Sequence, residues 1–234
     1  MARVFQITDK ELRFLLMFED IQGLCGFGEK SVIETEEIAK ECLRTLCEKG
    51  YIYSEQHKKY AINSTLELIL ITAANPYGYF IMENLRQDVI LSKTVIYFLN
   101  DVIGIVEQRD ENYELIWVPY LPLAIGKVAN LHTPFLNRDA VEIGEYTLED
   151  GEKYIDCYLK KGFKYQWEMW GKELAKDKKI SIVVLSDEKE QVLIKESKGK
   201  VHIVKPDKEI YVNTITKCIA PIHGNAIRMV YQEE

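Results

Sequence analysis

The sequence has few of the features that mark a catalytic, metal-binding or secreted protein. Its five cysteines include no C-x-x-C pair and show no regular spacing to its four histidines, which argues against a zinc site and a disulfide framework. No uncharged apolar run reaches the roughly 18 residues of a membrane helix. The opening segment MARVFQITDKE contains no apolar stretch of signal-peptide length. We therefore expect a cytoplasmic protein with reduced thiols, no cofactor and no membrane insertion.

Positive charge is also in short supply. The 234 residues carry 30 lysines and arginines against 37 aspartates and glutamates, a formal net charge of −7. Nucleic-acid affinity comes largely from basic side chains that neutralise phosphates. This balance predicts a protein that does not bind nucleic acid.

Motifs for nucleotide binding and hydrolysis are missing as well. The glycines of GLCGFG, residues 23–28, follow a predicted helix and precede Glu29, whereas a phosphate cradle follows a strand and opens a helix. No serine lies in a G-x-S-x-G context. We predict a protein that is not an enzyme, and a catalytic site assembled without any local motif is the alternative.

The first third of the chain is predicted to be mainly helical. Thr8 with Glu11 and Ser31 with Glu34 form capping boxes at the start of two helices, 8–21 and Ser31–Gly50. A hairpin follows, with strands in YIYSE and KYAIN and a turn at Gln56, His57 and Lys58. A third helix is predicted over Ser64–Ala74, before the turn NPYG.

The remainder alternates strands with helices. From Lys93 the pattern predicts three strands, a short helix and a connector, in the order TVIYFLN, IGIVEQ, YELIWVPY, LAIGKVANL and TPFLNRDAVEIGEY. Apolar residues at helical spacing predict one long helix over 148–176. Three strands and a final short helix follow, in KISIVVLS, QVLIKES, KVHIVK and EIYVNTITKCI.

The two β-rich stretches, 93–131 and 179–219, repeat the same order of three strands, a proline and a short helix. We therefore predict an α+β fold in which two pseudo-equivalent halves, 1–140 and 141–234, each contribute an antiparallel meander with flanking helices. A pseudo-two-fold arrangement would merge the meanders into one sheet within a single domain, 1–234.

The predicted hairpin near residue 55 also suggests a winged-helix DNA-binding regulator. In such a domain the preceding helix enters the major groove and presents basic residues. Here the helix from Ser31 to Gly50 carries five glutamates against three basic residues. Only Lys58 and Lys59 favour DNA binding, so this is the alternative function.

The aromatic segment GFKYQWEMWGK, Gly162–Lys172, has two interpretations. At helical spacing Phe163, Trp167 and Trp170 face the protein core. Tyrosine, tryptophan and methionine are also enriched in protein interfaces. A partner-binding surface that includes Tyr165, Met169 and Trp170 is the alternative to a purely structural role.

The order of elements resembles the EspG family of type VII (ESX) secretion chaperones. The likeness is carried by ITDKELRFLLMFEDIQ, by AKECLRTLCEKGYIYSEQHKKYAINSTLELILITAANP and by SKTVIYFLNDVIGIVEQRDENYELIWVPYLPLAIGKVANL. The resemblance implies a quasi-two-fold architecture and a non-enzymatic cytosolic chaperone or adaptor. It also implies that the loop between the second and third strands of the first meander contacts the client. By that match the loop consists of Arg109, Asp110, Glu111 and Asn112.

The composition, rich in lysine and isoleucine, points to a low-GC bacterial relative of the family. The PE/PPE clients of the actinobacterial proteins would then be replaced by WXG100-like or LXG-like helical proteins. The predicted partner is accordingly a secreted helical-hairpin protein. The oligomeric state is left open.

Overall fold

The computed structural model describes residues 2–33, 35–54, 59–86, 89–130, 139–173, 178–187 and 189–230. Fourteen strands and six helices are assigned within these ranges. The strands are β1 (Arg3–Thr8), β2 (Gly23–Leu24), β3 (Gly28–Glu29), β4 (Ile52–Ser54), β5 (Tyr60–Ile62), β6 (Gly78–Arg86), β7 (Val89–Leu99), β8 (Val102–Arg109), β9 (Asn112–Val118), β10 (Val141–Thr147), β11 (Lys164–Glu173), β12 (Lys178–Ser186), β13 (Gln191–Ser197) and β14 (Lys200–Lys205). The helices are α1 (Asp9–Phe18), α2 (Glu36–Glu48), α3 (Ser64–Ala74), α4 (Leu121–Asn130), α5 (Leu148–Lys160) and α6 (Lys208–Val230).

Ten of the strands form one antiparallel sheet in the order β1-β9-β8-β7-β6-β11-β12-β13-β14-β10. The order has internal symmetry, because β6 and β11 form the centre and each half continues outward as a meander. In each half the first strand, β1 or β10, returns to pair with the last, β9 or β14. The predicted pair of pseudo-equivalent halves merged in one sheet is confirmed. The division at residues 140 and 141 and the single-domain assignment remain predictions.

Helices cover both faces of the sheet. Helix α3 packs on β7, β8 and β9, α1 packs on β1 and β9, and α2 packs on α1, all within one apolar cluster. Helix α5 packs on β14 and β10. The strand register places these two clusters on the same face. Helices α4 and α6 contact each other and cover the opposite face. Alternate residues of the central strands are therefore buried on opposite faces of the sheet. This accounts for the continuous apolar runs in the sequences of these strands.

The local signals at the start of the chain are mostly correct. The side chain of Thr8 accepts a hydrogen bond from the Glu11 backbone and the capping box closes reciprocally, as predicted. Gly50, in the left-handed region at φ 70°, follows the end of α2, where its amide donates to Cys47 and that of Tyr51 donates to Leu46. This Schellman motif is the helix stop that the glycine predicted.

The start of the second helix was predicted wrongly. Helix α2 begins at Glu36, and the side chain of Thr35 caps it by accepting from the Ile38 backbone. Ser31 lies outside the helix, where its hydroxyl contacts Arg13 instead. The β4–β5 hairpin and α3 match their predictions. The predicted turn at Gln56, His57 and Lys58 lies outside the described residues.

The prediction of one helix over 148–176 is wrong. Helix α5 ends at Lys160, because Gly162 adopts a φ of 95° and the amides of Gly162 and Phe163 donate to Leu159 and Tyr158. The chain then continues as β11, in which Trp167, Met169, Gly171 and Glu173 alternate as buried residues. The aromatic residues whose spacing suggested a helix therefore belong to a strand that has one face in the core.

Further differences concern elements that the sequence patterns missed or predicted too short. Strand β6 was not predicted, although it lies at the centre of the sheet. The segment interpreted as a connector contains β10, which forms an edge. The last helix is longer than predicted, because α6 continues through Pro221. Strands β1, β2 and β3 were not predicted either. The remaining strands and α4 agree with the sequence patterns.

Candidate protein-binding site

The hairpin formed by β6 and β7 extends beyond the strands on either side of it. Pairing of β6 with β11 reaches Asn84, and pairing of β7 with β8 begins at Lys93. Beyond these positions the two strands pair with each other, through Leu85 with Ile90 and Arg86 with Val89. This end of the hairpin therefore projects beyond the ends of the neighbouring strands β8 and β11.

The projecting segment is apolar and accessible. Val89, Ile90 and Leu91 are 61%, 51% and 46% exposed, and Leu85 is half-buried. We call these four residues the hairpin patch. Consecutive exposed aliphatic residues on a strand are unfavourable in water and are typical of surfaces that another molecule covers.

The base of the hairpin is fixed by a largely buried ion pair. The Lys93 ammonium lies 2.7 Å from the Glu83 carboxylate, and both side chains are mostly buried. The same ammonium lies 5.6 Å from the centre of the Phe27 ring and 6.0 Å from that of Trp170. An ion pair combined with cation–π contacts holds the strands in register. Just beyond it, a bulge between Asn84 and Leu85 increases the local bend of β6.

The predicted contact loop, Arg109 to Asn112, is the tight turn between β8 and β9. Arg109 pairs with Asn112 across the turn, and Asp110 adopts a φ of 53°. The carbonyl of Glu111 accepts a hydrogen bond of 2.7 Å from the Asp9 amide at the start of α1. The turn is therefore anchored to the helical layer, at the same end of the sheet as the hairpin patch.

The undetected strand β6 changes the position of the predicted contact loop within the first meander. With β6 present, this meander consists of β6, β7, β8 and β9, in chain order. The hairpin patch lies on its first two strands, and the Arg109–Asn112 turn connects the third and fourth. Its role in partner binding remains a prediction.

The three aromatic and sulfur-containing candidates on β11 have different environments. Met169 is 0% exposed and its sulfur lies 3.9 Å from the Tyr211 hydroxyl, so it belongs to the core beneath α6. Trp170 is half-buried beside Lys93 on the opposite face. Tyr165 is half-buried and lies at the end of β11 next to the hairpin. Of the three, Tyr165 is placed closest to the hairpin patch.

Two acidic groups beside the Arg109–Asn112 turn are held ionised by basic partners. Burial alone would raise the pKa of Asp9, but hydrogen bonds from Lys30 and Arg13 outweigh it and lower the pKa. Burial likewise opposes ionisation of Glu11, and hydrogen bonds from Lys49, the Thr8 amide and Thr45 lower its pKa. The Lys49 ammonium lies 2.8 Å from both Glu11 oxygens. These contacts connect α1, α2 and β1.

Other kinds of site find little support in the described residues. No group of three histidine, cysteine, aspartate or glutamate side chains is arranged to hold a metal ion. None of the described helices has the length and apolar character needed to span a bilayer. The first turn of α2, which would enter a DNA groove in a winged-helix domain, carries Glu36 and Glu37. That charge opposes binding to phosphates.

Comparison with known proteins gives a structural match without a sequence match. No protein-family model and no curated protein matches the sequence. Among solved structures, the chain is similar to the Mycobacterium tuberculosis type VII secretion system chaperone EspG5, in its complex with the PE25–PPE41 dimer. The TM-score is 0.67 with 8% sequence identity, and the match covers 93% of this chain and 96% of EspG5. The predicted EspG-like α+β fold is confirmed.

Proposed function

We propose that this protein is a non-enzymatic chaperone or adaptor that binds a secreted helical-hairpin protein of a type VII secretion system in the cytosol. The observation that carries the proposal is an exposed apolar patch, at the end of a projecting hairpin, on a fold shared with EspG5. EspG5 is itself bound to the PE25–PPE41 dimer in its structure. A protein with this role needs an accessible apolar surface and no catalytic group.

The shape of the hairpin patch suits an amphipathic helix. Val89, Ile90 and Leu91 cover about 7 Å of strand at ~3.3 Å per residue. This length exceeds one helical turn, which advances about 5.4 Å along its axis. Consecutive strand residues point to opposite faces, so Val89 and Leu91 lie on one face of the hairpin and Ile90, paired with Leu85, on the other. A helix packed on either face would bury its aliphatic side chains against apolar residues spaced three and four apart on the helix surface. Burial of this kind favours association because it removes apolar area from water.

Polar groups surround the patch at the same end of the sheet. Arg109, Asp110, Glu111 and Asn112 belong to β8, β9 and the turn between them, one strand away from β7. Tyr165 lies on the other side, beyond β6. An apolar centre with a charged and polar rim is the usual composition of a specific interface. We include these five residues in the proposed site as its rim and leave out Met169, which is buried.

The proposed partner is a WXG100-like or LXG-like protein. Such a helical hairpin presents an apolar stripe that would be exposed before secretion, and a bound chaperone would cover it. The partner would therefore be recovered with this protein from the cytosol in a one-to-one complex. Binding of this partner would depend on the hairpin patch rather than on the net charge of the chain.

Affinity purification from the native cytosol, followed by mass spectrometry, tests the proposal. The wild-type chain is compared with Val89→Lys and with Val141→Lys as a matched control. Val89 and Val141 each begin a strand, are 61% and 53% exposed, and lie six strands apart, about 29 Å at ~4.8 Å per strand. We expect a small helical secreted protein with the wild type and with Val141→Lys, and its loss with Val89→Lys.

Two outcomes would overturn this assignment. Recovery of the same partner with Val89→Lys would remove the hairpin patch from the interface. Recovery of DNA that elutes as salt rises, with no stoichiometric protein, would favour the winged-helix alternative, since phosphate contacts weaken with ionic strength.

A further inference from the structure

A cavity of about 390 Å³ lies between the end of α1 and residues 29–32. Its apolar wall consists of Leu16, Met17, Ile21 and Val32. Met17 and Val32 are 44% and 67% exposed, so part of this wall is accessible to solvent. The volume lies within the range of about 300–1,000 Å³ that is usual for ligand sites. We call this space the α1 cavity.

Two carboxylates line the same cavity without a basic partner. Asp20 directly follows the C-cap residue of α1, and Glu29 lies on β3. Both residues are exposed, and neither is within ion-pair distance of a basic group in the described part of the chain. Their charges are therefore available to a ligand.

The basic groups that line the cavity are already engaged. Arg13 and Lys30 both bind Asp9, at 2.6 Å and 2.9 Å, and the Lys30 ammonium also donates to the Tyr113 hydroxyl at 2.7 Å. The cavity and these ion pairs together contain three carboxylates against two basic groups. The excess negative charge lies at the end of the cavity formed by Asp20 and Glu29, which are not paired.

The end of α1 adds to this negative potential. A helix C-terminus carries a partial negative charge and is stabilised by basic side chains in its last turn. The last turn of α1 contains no basic residue, and Glu19 and Asp20 follow it instead. Burial and the charge of Glu67 raise the pKa of Glu19. A cation bound beside Asp20 would relieve this accumulation of negative charge.

A positive charge on an aliphatic stem fits the combination of walls. The charged head would lie beside Asp20 and Glu29, and the stem would pack on Met17 and Val32. Lysine and arginine are the side chains that join a long apolar stem to a cationic donor. A metal ion would leave the apolar wall uncovered, and an anion would be repelled by the two carboxylates.

We propose that the α1 cavity binds the side chain of a lysine or arginine of a partner protein. Residues 27–32 connect the cavity to the base of the hairpin, because the Phe27 ring lies 5.6 Å from the Lys93 ammonium. That the basic side chain belongs to the protein bound by the hairpin patch rests on the proposed function. Such a partner carries a basic residue in addition to its apolar stripe.

Titration with small probes, followed by two-dimensional amide NMR of the full chain, tests the site without any partner. The probe n-butylammonium reproduces the lysine side chain. Its controls are n-butanol, which keeps the stem without the charge, methylammonium, which keeps the charge without the stem, and butyrate, which reverses the charge. We expect saturable shifts at residues 16–21 and 29–32 with n-butylammonium, with a Kd on the order of 10 mM for so small a ligand.

The controls should separate the two contributions. We expect n-butanol to bind about fivefold more weakly, because an ion pair at an exposed site contributes about 1 kcal/mol. Methylammonium should also bind at least about fivefold more weakly, since it buries no stem. Added salt should weaken the binding of n-butylammonium and leave that of n-butanol unchanged.

Matched variants identify the groups responsible. Asp20→Asn combined with Glu29→Gln removes both charges, and asparagine tolerates the left-handed backbone of position 20, where φ is 55°. Asp156→Asn is the control, because Asp156 is an exposed aspartate on α5, in the other half of the sheet. We expect the double variant to bind n-butylammonium no better than n-butanol, and Asp156→Asn to behave as the wild type. The NMR spectrum itself reports whether each variant is folded.

Partner capture tests the wider assignment. In the affinity purification described above, the double variant should recover less of the helical partner than the wild type or Asp156→Asn. Unchanged recovery would show that this partner does not use the α1 cavity.

Three results with the small probes would overturn the inference. Equal binding of n-butanol and n-butylammonium would show that the carboxylates play no part. Tighter binding of butyrate would assign the cavity to an anion held by Arg13. Unchanged binding of n-butylammonium in the double variant would place the probe elsewhere. Each of these results leaves the proposed function standing, which fails only if partner capture does not depend on Val89.

Discussion

Ile222 of α6 packs directly against Gly171 of β11. A methyl group added to Gly171 would come within 2.8 Å of the Ile222 Cδ1 atom. The Ile222 side chain also packs against Gly78 of the adjacent strand β6. A methyl group added to Gly78 would lie 2.6 Å from the Ile222 Cγ2 atom. Because β6 and β11 belong to different halves of the sheet, the Ile222 side chain packs across the junction between the two halves. The two glycines are required by this close approach.

Gly171→Ala should therefore lower the free energy of unfolding by about 1–3 kcal/mol, the usual cost of overpacking. Ile222→Ala alone should cost about 2–5 kcal/mol through the cavity it leaves. The double variant should be destabilised by less than the sum, because the new methyl group occupies part of that cavity. Urea unfolding measures all three. Strict additivity would contradict the packing described.

Gly224→Ala serves as the control for this series. Gly224 lies in the same helix, but a methyl group there would meet nothing within 4 Å. The change should stabilise the protein slightly, by about 0.5–1 kcal/mol, since glycine is unfavourable within a helix. Destabilisation would show that α6 is more tightly packed at its outer surface than the contacts indicate.

Glu11 should give the protein part of its acid sensitivity. Its pKa in the folded chain is below the ordinary 4.5, so the stability that it contributes is complete above that value. It is lost as the pH falls through the lower folded pKa. Glu11→Gln should cost about 1–2 kcal/mol at pH 7, because Lys49 and Thr45 lose a charged acceptor. The difference from wild type should shrink in acid.

Unfolding by urea between pH 3 and pH 7 measures this dependence. The exposed pair of Glu36 and Lys40 offers a control, since both side chains are mostly in solvent. Glu36→Gln should leave the pH profile unchanged. A constant difference between Glu11→Gln and wild type across the range would show that the ion pair with Lys49 does not shift the Glu11 pKa.

The hairpin patch should contribute little to folding. Val89→Lys removes an exposed side chain beyond the packed part of the sheet, so the free energy of unfolding should change by no more than about 0.5 kcal/mol. The same holds for Val141→Lys. Thermal unfolding of the purified variants provides the measurement. A large loss for Val89→Lys alone would mean that the patch is covered within the chain itself.

The turn between β8 and β9 can be tested separately from the hairpin. Glu111→Lys combined with Asn112→Trp should leave the thermal midpoint nearly unchanged, because the Glu111 contact with Asp9 is made by the backbone carbonyl. Partner binding should weaken, since the substitutions reverse a charge and add bulk in the proposed rim. Unchanged binding would exclude this turn from the interface.

Local signals predicted much of the fold, and tertiary effects account for the errors. The Thr8–Glu11 capping box and the helix stop at Gly50 depend on neighbouring residues, and the structure confirms both. Gly162 is the same kind of stop signal, but the spacing of Phe163, Trp167 and Trp170 is also that of a helix face. In β11 the alternation is obscured because Gly171 and Glu173 occupy buried positions. Their burial depends on α6, which is distant in sequence.

The candidate site was harder to predict than the fold. The run Val89–Leu91 has the composition of a buried strand, and its exposure arises only because β8 and β11 stop short of it. No residue within the run indicates this. Arg109, Asn112 and Tyr165 lie at the same end of the sheet as the hairpin patch, and their role in partner binding remains a prediction.

Site-specific photo-crosslinking in the native cytosol tests the central claim most directly. A photoreactive amino acid is placed at Ile90 in one variant and at Val141 in another, and the products are identified by mass spectrometry. The account predicts that position 90 crosslinks to a small, helical, secreted protein and that position 141 does not. Equal yields from both positions, or no protein adduct at position 90, would contradict a partner-binding role for the hairpin patch.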